Sequence, residues 1–562
     1  MRPEGRGDHD SLYFTYPTFT AGPAAELTAD TGVHPVVIVG AGPVGMTAAL
    51  SLASQGVRSI LIEKKNTFND GSRAICIARA SYQILQQIGA VEPFLAKALG
   101  WTRGRSFHRG MEILVFEMSH SESEKYLPMY NLQQQYIEQY LWEACARSDL
   151  IEMRWESEVT EVKMRGDGVG LRVASPHGSY GLEARYLLAA DGARSPIRAM
   201  LKLRLHGQNF EGNYVIADVR MRHDYPTERR AFFDPPGNPG GTVLIHKQPD
   251  DIWRIDYQLK PGEAPAEALK EANLRARVGA ILDDIGHAGP WDLEWWSLYT
   301  ANTLCLDDYR HGPVFFIGDS AHIVPIFGVR GLNNGMADAH NLAWKLAYVL
   351  NGRADPALLD SYTPERRGAT LDVFANATKS ARFMTPPTRG WALARDAALS
   401  LARSQPFARQ FANPRQMEPY TYAASPLTLY PLRDRPFKAG TRTGAAMSNV
   451  RLTDGGFLLD RVGKGFAALV FADKPLSPAL TACLAAMQAR DPQFTVLTVA
   501  MGGAKIDGAL DDGDGAIARS CDARPGTVYL LRPDLHVAGR WKSADPAEIT
   551  ASFTACLGGR KG

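Results

Sequence analysis

Cysteine is scarce and scattered. The six in 562 residues, Cys76, Cys145, Cys305, Cys483, Cys521 and Cys556, make no CxxC pair and no metal-ligand spacing, so a disulfide framework, a metal site and thiol catalysis all lack support in the pattern. An excess of either charge is missing as well. With 62 basic and 60 acidic residues the formal net charge is +2, and no long block of one sign occurs. That argues against a nucleic-acid or anionic-membrane surface and leaves small molecules as the expected partners. No apolar run approaches the roughly 18 residues of a membrane span. The opening segment MRPEGRGDHDSLYFTYPTF is too polar and acidic for a signal h-region, so a cytoplasmic protein is expected. At 562 residues the chain exceeds single-core size and should divide into two or three domains.

Glycine, by contrast, is placed with a pattern. In VVIVGAGPVGMTAAL (36–50) an apolar strand breaks at Gly40, Gly42 and Gly45 and turns into a helix. Gly40 allows the tight turn, Gly42 lets backbone amides approach a pyrophosphate across Pro43 and Val44, and Gly45 lets the helix pack closely on its strand. The helix dipole favours the anion. The return strand in VRSILIEKK (57–65) ends at Glu63, followed by Lys64, about 20 residues past the glycines, where a carboxylate can accept the ribose hydroxyls of a dinucleotide. This motif alone leaves FAD and NAD both open.

Two later segments narrow the choice. YLLAADGARSPIRAML (186–201) carries Asp191, Gly192, Ser195 and Arg198, and PVFFIGDSAHIVPIFGVRGLNNGMADAHNLAWKLAYVL (313–350) carries the Gly318, Asp319 pair, a glycine-rich loop and a long helix. Together, and in this order, the three motifs resemble those of the single-component flavoprotein aromatic hydroxylases. The resemblance implies FAD, with Asp191, Gly192 and Asp319 at the cofactor and Gly331, Leu332 and Asn333 offering a helix start to the flavin pyrimidine edge. A carboxylate closing a strand as apolar as VFFI suits the ligand-binding edge of a parallel sheet, where Asp319 can accept ribityl hydroxyls. SRAICIARASYQIL (72–85) resembles the family's arginine-bearing loop and points to Arg73 as a flavin or phosphate contact. NLQQQYIEQYL (131–141) resembles its glutamine before a helix, with Gln134 the better match and Gln133 close behind. Val159 occupies a strand position whose backbone could meet adenine.

The expected fold is α/β: a Rossmann-like FAD-binding domain with an inserted β-sheet substrate domain and a C-terminal thioredoxin-like domain. The expected boundaries are a flexible head over 1–33, the flavin domain over 34–205 and again over 299–402, the substrate sheet over 206–298, a linker over 403–443 and the last domain over 444–562. The sheet is read from VIADVRM, GGTVLIHKQ and IWRIDYQLK, runs of alternating or β-rich character. The last domain resembles that of the phenol-hydroxylase and hydroxyphenylpropionate-hydroxylase branch. It has FADKPLSP where a thioredoxin would place its cysteines, so it is read as a packing or dimer module, and a homodimer is expected.

The resemblance implies hydroxylation of a phenolic or heteroaromatic ring with O2 and with NADH or NADPH as co-substrate, through a flavin C4a-hydroperoxide. No second glycine fingerprint is present to tell the two nicotinamides apart. Arg330 is a candidate charge beside the flavin pyrimidine, where it would stabilise the reduced anion. Strand alternation in IWRIDYQL (252–259) puts Arg254 and Asp256 on one face and Tyr257 on the other. Arg254 and Asp256 match a family pair beside flavin and substrate, and equally suit an ion pair on a solvated strand face. Ile326 and Phe327, with Tyr257, are the candidate apolar pocket. Two other functions stay open at this point: hydride transfer without oxygen insertion, and a flavin-fold binding or assembly protein.

Overall fold

The apolar run ahead of the glycines forms strand Val33–Val39, in which Val36, Val37 and Ile38 are fully buried. It runs parallel to Gly178–Ala189 on one side and Ser59–Ile62 on the other, and Val314–Phe316 and Ile151–Arg154 extend the sheet. Strands covered on both faces need continuous apolar sequence, which these have. The register sets Val39 beside both Ala189 and Ile62, and Ala189 beside Phe316. The three motifs and the acid of the second strand therefore leave the sheet side by side at one edge. The computed structural model describes residues 1–325, 329–412, 418–429 and 431–559.

Helices Pro43–Ser54 and Gly331–Leu350 pack together close to that edge. A Cβ on Gly335 would lie 2.6 Å from Val44 Cγ2 and 3.2 Å from the Gly318 Cα. Gly335 is thus a close-packing glycine, which no side chain could replace without parting the two helices from the Gly318 turn.

A second eight-stranded sheet runs in the order His322–Ile323, Trp291–Cys305, His206–Met221, Ile252–Gln258, Thr242–Lys247, Arg229–Phe233, Arg103–His108, Met111–Glu117. Helix Glu271–Asp284 covers one face, where Val215, Ile245, Trp253, Ile255 and Tyr257 pack on Leu274, Val278 and Ile281. The sheet is wider than the expected 206–298. It recruits 103–117, and strand Trp291–Cys305, 15 residues long, runs across the expected boundary because its 16-residue partner His206–Met221 pairs with it from end to end.

The expected flexible head is also corrected: residues 1–33 are tied down. The Arg2 guanidinium reaches Glu294 at 2.7 Å and Asp70 at 2.8 Å, Phe14 is buried, and Phe19 stacks on Trp155 with ring centroids 4.1 Å apart. Four aromatic residues in SLYFTYPTF supply apolar area to bury, and Arg2 neutralises a glutamate that would otherwise be a buried unpaired charge.

The C-terminal unit is a five-stranded sheet, ordered Leu510–Asp511, Thr495–Ala500, Ala467–Ala472, Val528–Leu531, Val537–Trp541. The first three strands are parallel and the last two add on antiparallel. Trp344 and Tyr348 of the Gly331–Leu350 helix meet Phe466 edge-on. Around them a buried polar cluster forms. Glu365 accepts Lys345 Nζ at 2.7 Å and both Arg532 amino groups at 2.6 and 2.9 Å, while Asp534 binds Arg532, Asn341 and Trp344.

Candidate flavin and substrate site

At the strand ends the three glycines of the first motif have different reasons. Gly40 has φ +105°, and a Cβ there would lie 2.4 Å from the Ala190 carbonyl; one on Gly45 would lie 1.9 Å from the Gly40 carbonyl. Both are required by packing. A Cβ on Gly42 would meet nothing within 4 Å. Gly42 is the N-cap of helix Pro43–Ser54, so the space in front of the helix N-terminus, with its unpaired first-turn N–H groups, is open.

Glu63 is half-buried at the next strand end, where its two oxygens accept the Ala41 N–H at 2.8 Å and the Lys65 N–H at 3.0 Å. The carboxylate is thereby fixed against the glycine loop, with Lys64 exposed beside it. Ser157 N–H binds the Glu63 carbonyl at 2.9 Å, which brings the start of strand Glu158–Arg165, with buried Val159, to the same corner.

Asp191 accepts the Ile197 N–H at 3.1 Å through Oδ2, while its Oδ1 is buried without a hydrogen-bond partner. Burial pushes this carboxyl above its ordinary value. Gly192 follows at φ +80° with open space around it. Asp319 is exposed at the end of strand Val314–Phe316, where desolvation raises its carboxyl while His322 and Arg73 oppose the rise. An orphan carboxylate oxygen, an open carboxylate and a clear helix N-terminus at adjacent strand ends fit the hydroxyls and pyrophosphate of FAD.

Four of the expected residues have protein partners of their own. Gln134 Oε1 accepts the Arg73 and Ala74 N–H groups at 3.2 and 3.1 Å, and its amide nitrogen donates to Glu138. Gln134 thus shapes the loop that carries exposed Arg73. Asn333 clamps the start of helix Gly331–Leu350 to the 76–81 segment, accepting from Ala78 N–H at 2.8 Å and donating to the Cys76 carbonyl at 3.1 Å. Leu332 packs against the core. Arg330 is buried, with Nη1 3.4 Å from the Val373 carbonyl.

The second sheet turns its other face to the flavin domain. Strand register lines up Arg229, His246, Arg254 and Asp218 across four strands, and Ala231, Leu244, Asp256 and Ile216 in the next row. Arg254 is ion-paired with Asp218, its Nε and Nη2 at 2.9 and 3.0 Å from the two carboxylate oxygens. It also donates to the backbone carbonyls of Ser72 and Arg73. The alternative of an Arg254–Asp256 pair on a solvated strand is therefore corrected, since the whole strand is buried and Arg254 has another partner.

Asp256 stands alone. It is 4% exposed, its Oδ1 has no hydrogen-bond partner, and burial holds its carboxyl up at about 7 despite Arg254 and Arg229 nearby. Tyr257 does not join it. Its ring lies in the helix-side core with the Arg277 guanidinium 5.6 Å from the centroid, which the strand alternation already required. Ile326 and Phe327 lie outside the described residues. Asp218, Arg229 and His246 were missed by the sequence reading. The period-2 pattern of RRAFF, TVLIHK and VIADV carried the signal, but only strand register shows that these side chains share one face.

With this geometry in place, comparison with known proteins is informative. A family model described as "FAD binding domain" matches residues 34–377. The 3-(3-hydroxy-phenyl)propionate/3-hydroxycinnamic acid hydroxylase of Mycolicibacterium smegmatis is 28% identical over 556 residues, covering 94% of this chain and 94% of the relative. The protein of the same name from Klebsiella pneumoniae is 30% identical over 382 residues, 66% of each chain. Among solved structures, the flavin-dependent monooxygenase PieE in complex with FAD and substrate superposes with a TM-score of 0.77 at 22% identity, covering 94% of this chain and 99% of that one. Aklavinone-11 hydroxylase with FAD and aklavinone gives 0.75 at 22%, covering 94% and 100%. The motif order, the strand-edge cleft and a family match over more than half the chain agree: this chain belongs to the FAD binding domain family.

Proposed function

We propose that this protein is an FAD-dependent, NAD(P)H-consuming monooxygenase that hydroxylates a phenolic or heteroaromatic small molecule. The observation that carries this reading is Asp256, a buried carboxyl with an unbonded oxygen and a proton affinity near neutral, on the sheet face turned to the flavin cleft. Bound FAD, once reduced, would supply the activated oxygen. Glu63, Asp191 and Asp319 would hold its hydroxyls and the N-terminus of helix Pro43–Ser54 its pyrophosphate.

The residues of the chain do the rest. A ring hydroxyl hydrogen-bonds to Asp256 Oδ1, and transfer of its proton to the carboxylate leaves the ring oxygen electron-rich and the ring ready for electrophilic attack. Arg254, locked by Asp218, fastens the sheet to residues 72–73 and so fixes the distance between substrate floor and flavin cleft. Ala231 and Leu244, in the row of Asp256, pack with Met384 and Leu399, an apolar cover that keeps water from the carboxyl. The same reading includes NADH or NADPH as a transient co-substrate and a cytoplasmic homodimer.

The test is coupled turnover. A panel of phenols and hydroxypyridines should include a compound that stimulates NADH or NADPH oxidation with O2 uptake matched by hydroxylated product. Asp256→Asn should lower product formation by about 10² to 10⁴ with FAD still bound. Stimulated nicotinamide oxidation without any hydroxylated product would instead favour the oxidoreductase reading.

A further inference from the structure

Helix Gly331–Leu350 carries a polar stripe through the core. Asn334, Asp338, Asn341 and Lys345 follow one another at steps of four, three and four residues, so they share one face of the helix. All four are buried, which is costly unless each finds partners. They find them on helix Tyr362–Met384, on the last sheet and on Tyr422, which stands between the flavin domain and the C-terminal unit.

The partners form one continuous chain. The Asn341 amide nitrogen lies 2.8 Å from Glu365, 3.1 Å from Asp534 and 3.4 Å from the Tyr422 hydroxyl. That hydroxyl accepts Arg366 Nη1 at 2.9 Å, and Arg366 donates in turn to Asp338 Oδ1 at 2.7 Å and to the Asn334 side-chain oxygen at 2.6 Å. Asp338 Oδ2 accepts the Gly318 N–H at 3.1 Å and lies 2.6 Å from His322 Nε2. Gly318 and His322 flank Asp319. Burial would raise the Asp338 carboxyl, but Arg366 and His322 hold it below its ordinary value, so a charged group stands at the centre. The chain runs from Arg532 and Asp534 of the last unit to the turn that presents a carboxylate to the flavin cleft, and His322, Asp338, Arg366 and Tyr422 are all buried.

Tyr422 is the link that belongs to both units. Its N–H donates to the Gly444 carbonyl at 2.7 Å, and the Gly444 N–H donates to the Val537 carbonyl at 2.7 Å. Its ring centroid lies 4.4 Å from that of His536 and 5.1 Å from the Arg532 guanidinium. Backbone and ring are therefore placed by the C-terminal unit, whereas the hydroxyl serves an arginine of the flavin domain. Without that hydroxyl a buried guanidinium N–H loses its acceptor, and Arg366 turns to find another, drawing Asp338 and the Gly318 turn with it.

We propose that the C-terminal unit braces the flavin site: Tyr422 is a positioning residue that acts through Arg366 and Asp338 on the turn carrying Asp319, and so tightens the hold on FAD. This coupling requires the flavin cleft and not the hydroxylation chemistry. The rival is a seam that only joins the two units.

The experiment loads each variant with FAD, obtains the dissociation constant from flavin release on dilution, and records the visible circular dichroism of the flavin that stays bound. Tyr422→Phe, which removes one atom, should weaken FAD about fivefold, the lower end of coupling between linked sites, and should alter the dichroism. Tyr348→Phe is the control. Its hydroxyl binds Asp491 at 2.6 Å on the same seam, outside this chain of bonds, so it should lower stability in chemical denaturation by a similar amount with FAD affinity within about twofold of wild type. In the Asp319→Ala background Tyr422→Phe should lose most of its effect on FAD, since both changes act at one turn, whereas independent sites add. Equal FAD affinity in the two tyrosine variants, or full additivity with Asp319→Ala, overturns the brace. A wild-type protein that takes up no FAD overturns the flavin cleft and the brace together. Should Tyr422→Phe not fold, His536→Ala, which takes away the ring beside the phenol, enters the same cycle with Asp319→Ala, and its additivity gives the same decision.

Discussion

Among the described residues, one buried charge cluster lies at the seam with the C-terminal unit and another on the floor of the second sheet. At the seam, Glu365 has Lys345 and Arg532, and Arg532 has Asp534 as well. On the floor, Arg229, His246 and Asp256 each keep a polar atom without a partner. Burial is equally complete in both. In the seam cluster the charged groups are paired and only the neutral Asn341 Oδ1 lacks a partner; on the floor charged groups themselves are unmet, which separates a joint, stable as it stands, from a site that holds hydrogen-bonding capacity for what it will bind.

The sharpest way to break this comparison is to make the same change, carboxylate to amide, in each cluster. Glu365→Gln leaves Lys345 and Arg532 buried against a neutral group and should cost about 3 to 5 kcal/mol, read by chemical denaturation. Lys345 and Arg532 hold the Glu365 carboxyl far below the ordinary range, so its contribution is present above pH about 4.3 and lost only as the pH falls through that lowered value.

Asp256→Asn should do the opposite. The folded state raises this carboxyl to about 7 from an unfolded value of about 3.9. Its stabilising effect is therefore full below pH about 4 and lost as the pH rises towards 7. Above that, the wild-type protein without substrate holds an unpaired buried carboxylate, and the amide should be more stable by about 1 to 3 kcal/mol at pH 8 and no different at pH 4. A melting series over pH checks the crossover. Equal or lower stability of the variant at pH 8 would mean that Asp256 is satisfied.

Asp319→Ala probes the cleft, where the carboxylate is open. It should weaken FAD binding about tenfold, measured by release of flavin on dilution, with little change in the melting temperature of the FAD-free protein. The smallest effect is expected from Tyr257→Phe. Its ring belongs to the helix-side core, so turnover should stay within about twofold of wild type, in contrast with its neighbour one residue away.

What could be read from the sequence follows the same division. The glycine turn, Glu63, Asp191 and Asp319 lie in contiguous motifs, because a strand end and the turn after it are local in sequence, and the parallel sheet then aligns four such ends. The substrate floor is not local. Arg229, His246, Arg254 and Asp218 come from four strands and meet only through register, which a one-residue slip would turn to the other face. Strand alternation did separate Asp256 from Tyr257. The head was misjudged because its charged residues outweighed its aromatic ones in composition, and the partners of both, Glu294 and Trp155, are distant in sequence.

The strands at 103–117 have a consequence for how the molecule is assembled. The chain leaves the flavin domain for the second sheet at residue 103, returns, leaves again at 206 and returns after 305, adding only the short strand His322–Ile323 later. Strand Arg103–His108 pairs in parallel with Arg229–Phe233, more than a hundred residues later, so the sheet cannot close until both excursions have been synthesised. Neither domain is a separable cassette. Such long-range pairing slows folding, and a single protease cut in a loop between them should leave two fragments that stay together until denatured.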